Sequence, residues 1–188
     1  DEKKYPEIAD AIGLMKKWDY SFDAQNKSAA MVLYTFEKLF ELKQSGYNGL
    51  ETGIAYTEEE LVKCIVYAKR TMMKKHKSME VPLNKVQMIA RGNKQFPVEG
   101  GPETLCASYS EEDKGGFLNS GDGDSFIMFA SFGKNGSTLE SVVPFGASRR
   151  PGNIHNTDQM ELYSSKKLKK IYLNKIDILN KAEKIYHP

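Results

Sequence analysis

The side chains able to do chemistry in this 188-residue sequence are few and scattered. His155 and Asp158 stand three positions apart, a spacing at which a carboxylate can orient an imidazole as a base. No nucleophile is set beside them by motif, because no GxSxG occurs. Ser164-Ser165-Lys166-Lys167 has the S-x-x-K spacing of some acyl-transferring serine enzymes, but neither SDN nor KTG accompanies it. It lies in a lysine-rich stretch and reads as a solvated face. His76, His155 and His187 share no helical turn, so they do not offer a zinc ligand set. Asp122-Gly123-Asp124 looks like the opening of a calcium loop but lacks the later ligands, and reads as a turn before a strand. Phosphate-binding GxxxxGK[ST] and GxGxxG patterns are absent, and Gly100-Gly101 alone is a turn. Cys64 and Cys106 form neither CxxC nor a disulfide framework, and read as two buried free thiols on a helix and in a strand region. These residues assign no catalytic position, no metal and no cofactor.

Two basic clusters could touch phosphates: Lys69, Arg70, Lys74, Lys75 and Lys77, then Lys166, Lys167, Lys169 and Lys170. No aromatics interleave with them in a base-stacking pattern. The first cluster ends a helix, where cations suit the negative pole of the dipole, and both read as solvated helix ends. With 27 Lys and Arg against 25 Asp and Glu the net charge is +2, too small an excess for a general nucleic-acid binder. Apolar runs such as Phe126 to Ala130 are far shorter than the roughly 18 residues of a membrane span. Hydrophobic residues at 40% supply material for a core, and the length fits about one domain. The opening Asp1-Glu2-Lys3-Lys4 has no initiator Met and no leader pattern, so the chain reads as a processed product, an artificially trimmed chain or an internal fragment.

The elements that position these residues change along the chain. Ile8, Ala11, Ile12, Met15 and Trp18 repeat at three and four, the face of a first helix. Asn26 or Ser28 can cap a second, in which Ala29, Val32, Leu33, Phe36, Leu39 and Phe40 share a face and Gly46 fits the stop. Thr57-Glu58-Glu59-Glu60 is a capping box that starts a third helix running toward His76. Pro82 closes this helical part, and a boundary falls near Glu80, giving a helical segment 1–80 and a β-rich segment 81–188. Beyond it, Gly and Pro punctuate short runs that read as strands: Thr104 to Tyr109, Ser125 to Phe132 and Leu139 to Val143. The second is so apolar that both its faces should be covered. Lys134-Asn135-Gly136 suits a tight turn that pairs the last two antiparallel. Thr157 can cap a short helix through Met160 and Tyr163, and Asn174 another with Ile178, Leu179, Ala182 and Ile185 inward. The class is α+β, with a helical first half followed by an antiparallel sheet.

Five stretches then come in a fixed order: Val86 to Gly92, Phe96 to Gly101, Gly123 to Ile127, Phe145 to Ser148, and Pro151 to Gln159. Together they resemble the carboxy-terminal part of the β-chain of the penicillin acylase family, which includes acyl-homoserine-lactone and aculeacin-type acylases. Leu14 to Asp19 is similar to that family's "L…WDG" segment, with Tyr20 where the Gly is usual. The resemblance implies a fragment of an N-terminal-nucleophile αββα sandwich. In such enzymes an exposed Ser, Thr or Cys attacks an amide, its own α-amino group serving as base, and an Asn helps hold the oxyanion.

The resemblance carries no catalytic residue onto this sequence. Residue 1 is Asp, and the family's nucleophile and oxyanion Asn lie upstream of the WDG-like segment. Gly92, Gly100 and Gly101 read as turns, Trp18 as an anchor, and His155, Asp158 and Gln159 as fixing a return loop. The implied partner is the remainder of a parent acylase, both its α-chain and the earlier part of its β-chain. The small amide substrate binds only in the full assembly, with a periplasmic or extracellular address. Exposure of the Ser125 to Phe132 edge implies self-association. Two other readings remain: a non-catalytic binding module that reuses the fold, and a self-contained enzyme using His155 and Asp158.

Overall fold

The computed structural model describes residues 3–43, 55–134 and 136–185. Gly46, Asn135 and His187 lie outside the described residues. The chain forms two compact units, Asp1–Gly123 and Asp124–Pro188.

In the first unit, a 3-10 turn over Pro6–Ile8 leads into helix α1, Ala9–Met15. The periodic face extends past the helix, since Trp18 follows it in a turn. There the Trp18 indole N–H donates to the Ser21 carbonyl at 2.6 Å, and its ring packs against Phe22 and Phe36. Helix α2, Ala29–Lys43, starts where Asn26 Oδ1 accepts from the Ser28 and Ala29 N–H groups at 2.9 and 3.0 Å. Of the two capping candidates, the one with a carboxamide does the capping. Helix α3 spans Glu58–His76 and carries the capping box in both directions. Thr57 Oγ1 accepts from the Glu60 N–H at 3.2 Å, and Glu60 Oε2 from the Thr57 N–H at 2.9 Å. Three glutamates in its first turn and Lys74 and Lys75 in its last complement the helix dipole.

The same unit holds a four-stranded sheet of β1 (Gln87–Arg91), β2 (Lys94–Pro97), β3 (Ser108–Glu112) and β4 (Leu118–Gly123), in the order β2-β1-β4-β3. β1 pairs antiparallel with β2 and β3 with β4, while β1 and β4 run parallel. The sheet is therefore mixed rather than purely antiparallel, and the α+β class stands. Ile8, Ala11, Leu14, Met31, Tyr34, Ala68, Met72, Leu83, Val86 and Leu118 share one core. The three helices thus bury their apolar faces with residues from the sheet and its entry turn, since three short helices are marginal alone.

The run Thr104 to Tyr109 is a strand only at its end. Before Ser108 the backbone turns, and Thr104 Oγ1 donates to the Gly101 carbonyl at 2.9 Å. Gly100, with φ of 95°, permits the close approach of this turn, since an added Cβ would lie 2.1 Å from the Cys106 carbonyl oxygen. Cys106 is accordingly half-buried in a turn rather than in a strand, while Cys64 is buried on α3.

The second unit contains a three-stranded sheet, β5 (Ile127–Gly133), β6 (Gly136–Val142) and β7 (Lys169–Ile171), in the order β5-β6-β7. β5 and β6 form the expected antiparallel hairpin, with Gly133 opposite Gly136. The expectation that both faces of this apolar strand are covered does not hold. Phe129 is 61% and Phe132 83% exposed, and their odd spacing along β5 puts them on opposite faces of the strand. The reason is the shortage of covering material: the buried residues of this unit among those described are Ser141, Val142, Gln159 and Met160.

Helix α4, Met160–Ser164, begins at Gln159 without a side-chain cap, and Thr157 instead ends the 3-10 turn Ile154–Asn156. The second lysine cluster is a helix end only in its first half: the Lys166 and Lys167 N–H groups bond the Tyr163 and Leu162 carbonyls at the end of α4, whereas Lys169 and Lys170 lie on β7, exposed to solvent. Helix α5, Lys175–Lys181, is capped as expected, Asn174 Oδ1 accepting from the Asp177 N–H at 2.8 Å. Its face is not inward, because Ile178, Leu179 and Ile185 are all exposed.

Candidate functional site

The return loop between β6 and α4 gathers most of the residues singled out by chemistry. Its path is held by hydrogen bonds within the loop. The Gln159 N–H donates to the Phe145 carbonyl at 2.9 Å, and Gln159 Oε1 accepts from the Val143 N–H at 3.1 Å. One buried carboxamide thus clamps both ends of the loop. Across the middle, the Ser148 N–H donates to the His155 carbonyl at 3.0 Å, and the Asn156 carboxamide donates to the Ser148 carbonyl at 2.9 Å. Asn153 Oδ1 accepts from the His155 N–H at 2.8 Å and opens the 3-10 turn. Gly146 is where the two halves touch. A Cβ there would lie 2.2 Å from the His155 carbonyl oxygen and 2.5 Å from Asp158 Oδ1.

His155 and Asp158 do form a local pair, with Nδ1 and Oδ2 2.8 Å apart. A third member was not legible in sequence: Glu183 Oε2 lies 2.7 Å from His155 Nε2. The two carboxylates, Asp158 first and Glu183 next, raise the imidazole above its ordinary range. With both ring nitrogens held by carboxylates, neither is left to draw a proton from a hydroxyl, as a catalytic base must. The arrangement fixes a loop and does not activate a nucleophile.

The other candidates stay apart. Ser164 and Ser165 end α4, and the Ser165 hydroxyl donates to the Glu161 carbonyl at 2.7 Å. Asp122 and Gly123 end β4, where Gly123, with φ of 140°, approaches the Ala107 carbonyl too closely for a Cβ. Among the described residues, no group of three or more His, Cys, Asp and Glu side chains is placed to hold a metal ion. None of their helices is long and apolar enough to cross a membrane.

In the first unit the buried Gln87, Ser108, Ser110 and Ser120 side chains of the sheet find partners, whereas Asn119 Oδ1 on β4 is buried without a hydrogen-bond partner. The buried Gln87 carboxamide donates to the Gly100 carbonyl at 3.0 Å and accepts from the Ser110 hydroxyl at 2.9 Å. Ser108 and Ser120 hydroxyls meet at 2.7 Å. Such closed pairing costs little and fixes strand register. On α2, burial pushes the Glu37 carboxyl up to about 7, with Glu111, Glu41 and Glu112 adding to the effect. Tyr67 donates to Glu112 at 2.5 Å beside it. Tyr20 holds left-handed backbone at φ of 64° next to Trp18. That is the conformation glycine enters without steric cost, at the position where the WDG-like segment usually has Gly.

Comparison with known proteins places these features. The family described as penicillin amidase matches residues 2–180. An acyl-homoserine lactone acylase PvdQ from Pseudomonas fluorescens (strain Pf0-1) is 31% identical over 86 residues, which is 43% of this chain and 11% of that protein. A protein of the same name from Pseudomonas syringae pv. syringae (strain B728a) is 29% identical over 84 residues, again 43% of the chain and 11% of the relative. The chain thus aligns with a small share of either relative's length.

Proposed function

Because the chain belongs to the penicillin amidase family, we propose that it is the carboxy-terminal scaffold of an acylase that hydrolyses a non-peptide amide to a carboxylic acid and an amine. It does no chemistry by itself. Its partner is the rest of that acylase, which carries the nucleophile, its α-amino base and the oxyanion Asn. The observation that carries this reading is the return loop. Every side chain there that matches the family pattern and could do chemistry is spent on structure: His155 between two carboxylates, Asp158 on His155, and Gln159 on Val143.

Two features support the partner. The β5–β6 hairpin presents bare aromatic side chains that a larger core would cover. The similar relatives named as acyl-homoserine lactone acylases are much longer than the stretch they share with this chain. An acyl-homoserine lactone, whose amide joins a fatty acyl group to an amine, is accordingly the first substrate class to try. A periplasmic or extracellular address goes with this reading. The exposed hairpin equally favours a binding module without an active site, and mass and sequence of the native protein separate the two. A native assembly containing this segment and a chain that begins at Ser, Thr or Cys is the expected result. The 188-residue chain, offered N-acyl homoserine lactones of several chain lengths and phenylacetylated amines, releases no free amine. Turnover that His155→Ala abolishes would overturn the scaffold reading in favour of a self-contained enzyme.

A further inference from the structure

We infer that His155 is a proton-dependent clasp, joining the return loop to the segment after helix α5 only while its imidazole carries both protons. The argument is one of donors. Asp158 Oδ2 stands 2.8 Å from Nδ1 and Glu183 Oε2 stands 2.7 Å from Nε2. An ionised carboxylate only accepts, and a neutral imidazole has one N–H. Both bonds therefore exist together only in the imidazolium. When the ring loses a proton, one carboxylate faces a bare nitrogen lone pair and is repelled.

The geometry selects which partner leaves. Asp158 is three residues from His155 on the same loop, and its Oδ1 is packed against Gly146. Glu183 is 28 residues away, past the α5 C-cap at Ala182, with its side chain 65% exposed. The tethered end swings away and the loop stays. Asp158 and Glu183 are the charged groups that act on the ring, and both favour its protonated form. The joint is thus closed below the ordinary histidine value of about 6.5 and opens as pH rises through a higher midpoint. The device sets how firmly α5, with Ile176, Ile178 and Leu179 bare on its surface, is held to its own unit. It is independent of the acylase reading.

The test is an NMR titration of the whole chain from pH 5 to pH 9, following the His155 ring nitrogens together with the protection factors of the α5 amides. The expected midpoint lies above that of a histidine in a model peptide. Above it, α5 protection falls several-fold while the Ser148 and Gln159 amides keep theirs. Glu183→Gln lowers the midpoint and makes α5 protection independent of pH. Asp158→Asn also lowers the midpoint but loosens the loop amides. An unshifted midpoint, a midpoint indifferent to Glu183→Gln, or α5 protection that does not follow the ring titration would each overturn the clasp.

Discussion

Gly146 is the position where one methyl group should undo the return loop. Its backbone is not in the left-handed region, so Gly146→Ala tests steric space and not torsional strain. The added Cβ would lie 2.2 Å from the His155 carbonyl oxygen, where real Cβ contacts essentially never fall below 3.0 Å. That oxygen must retreat by about 0.8 Å, and it is the acceptor of the Ser148 N–H at 3.0 Å. Overpacking of this kind costs about 1–3 kcal/mol, and the weakened hydrogen bond about 1 kcal/mol more. The lost flexibility of the unfolded chain returns about 0.4–1 kcal/mol. The net local destabilisation is about 2 kcal/mol, or about a 30-fold fall in protection at ~1.4 kcal/mol per factor of ten. Native-state hydrogen exchange at the Ser148 and Gln159 amides reads it directly. Gly121→Ala is the control, since nothing lies within 4 Å of its added Cβ. Unchanged protection at Ser148 in Gly146→Ala, or an equal fall in the Gly121→Ala control, would refute the steric account of the loop.

Thr57→Ala removes one half of the capping box and costs the first unit about 1 kcal/mol, seen as a lower urea midpoint with an unchanged slope. Glu37→Gln acts through pH. Burial raises the Glu37 carboxyl toward about 7, so the native state binds the proton more tightly than the unfolded chain does. Stability therefore falls as pH rises from about 4.3, the ordinary glutamate value, through about 7. The variant should match the parent near pH 4 and be the more stable at pH 8 in paired thermal melts, by a modest margin because Glu37 is only half-buried. Phe129→Lys with Phe132→Lys should reduce self-association of the isolated chain in light scattering at high concentration. A parent chain that is already monodisperse and monomeric would remove the basis for that effect.

The legible part of the fold was the part written locally. α3 announced itself by a capping box whose partners are three residues apart, and the hairpin of β5 and β6 by two apolar runs around a turn. β1, β2, β4 and β7 carry no such signature. β4 reads Leu-Asn-Ser-Gly-Asp-Gly, poor strand formers held in place by neighbours on both sides. β1 opens on Gln87, a polar side chain whose burial is made tolerable by Ser110 and Gly100, both distant in sequence. β7 is lysine-rich because it is an edge, where charge discourages further pairing. The site divides the same way. His155 and Asp158 could be paired from their spacing, whereas Glu183 needed the chain to fold back across α5 before it could be found.

The parallel pairing of β1 with β4 has a consequence for how the chain is made. Ile8 and Leu118 belong to one core, so the helical faces have no complete cover until residue 118 has left the ribosome. At about 5–20 residues added per second, the wait is roughly 5–20 s. During that interval the apolar surfaces of α1, α2 and α3 are open to chaperones. Slowing translation between α3 and β4 should lengthen that dependence. Whatever guards the nascent chain must bind helical apolar faces first, and release them as β4 arrives to lie beside β1.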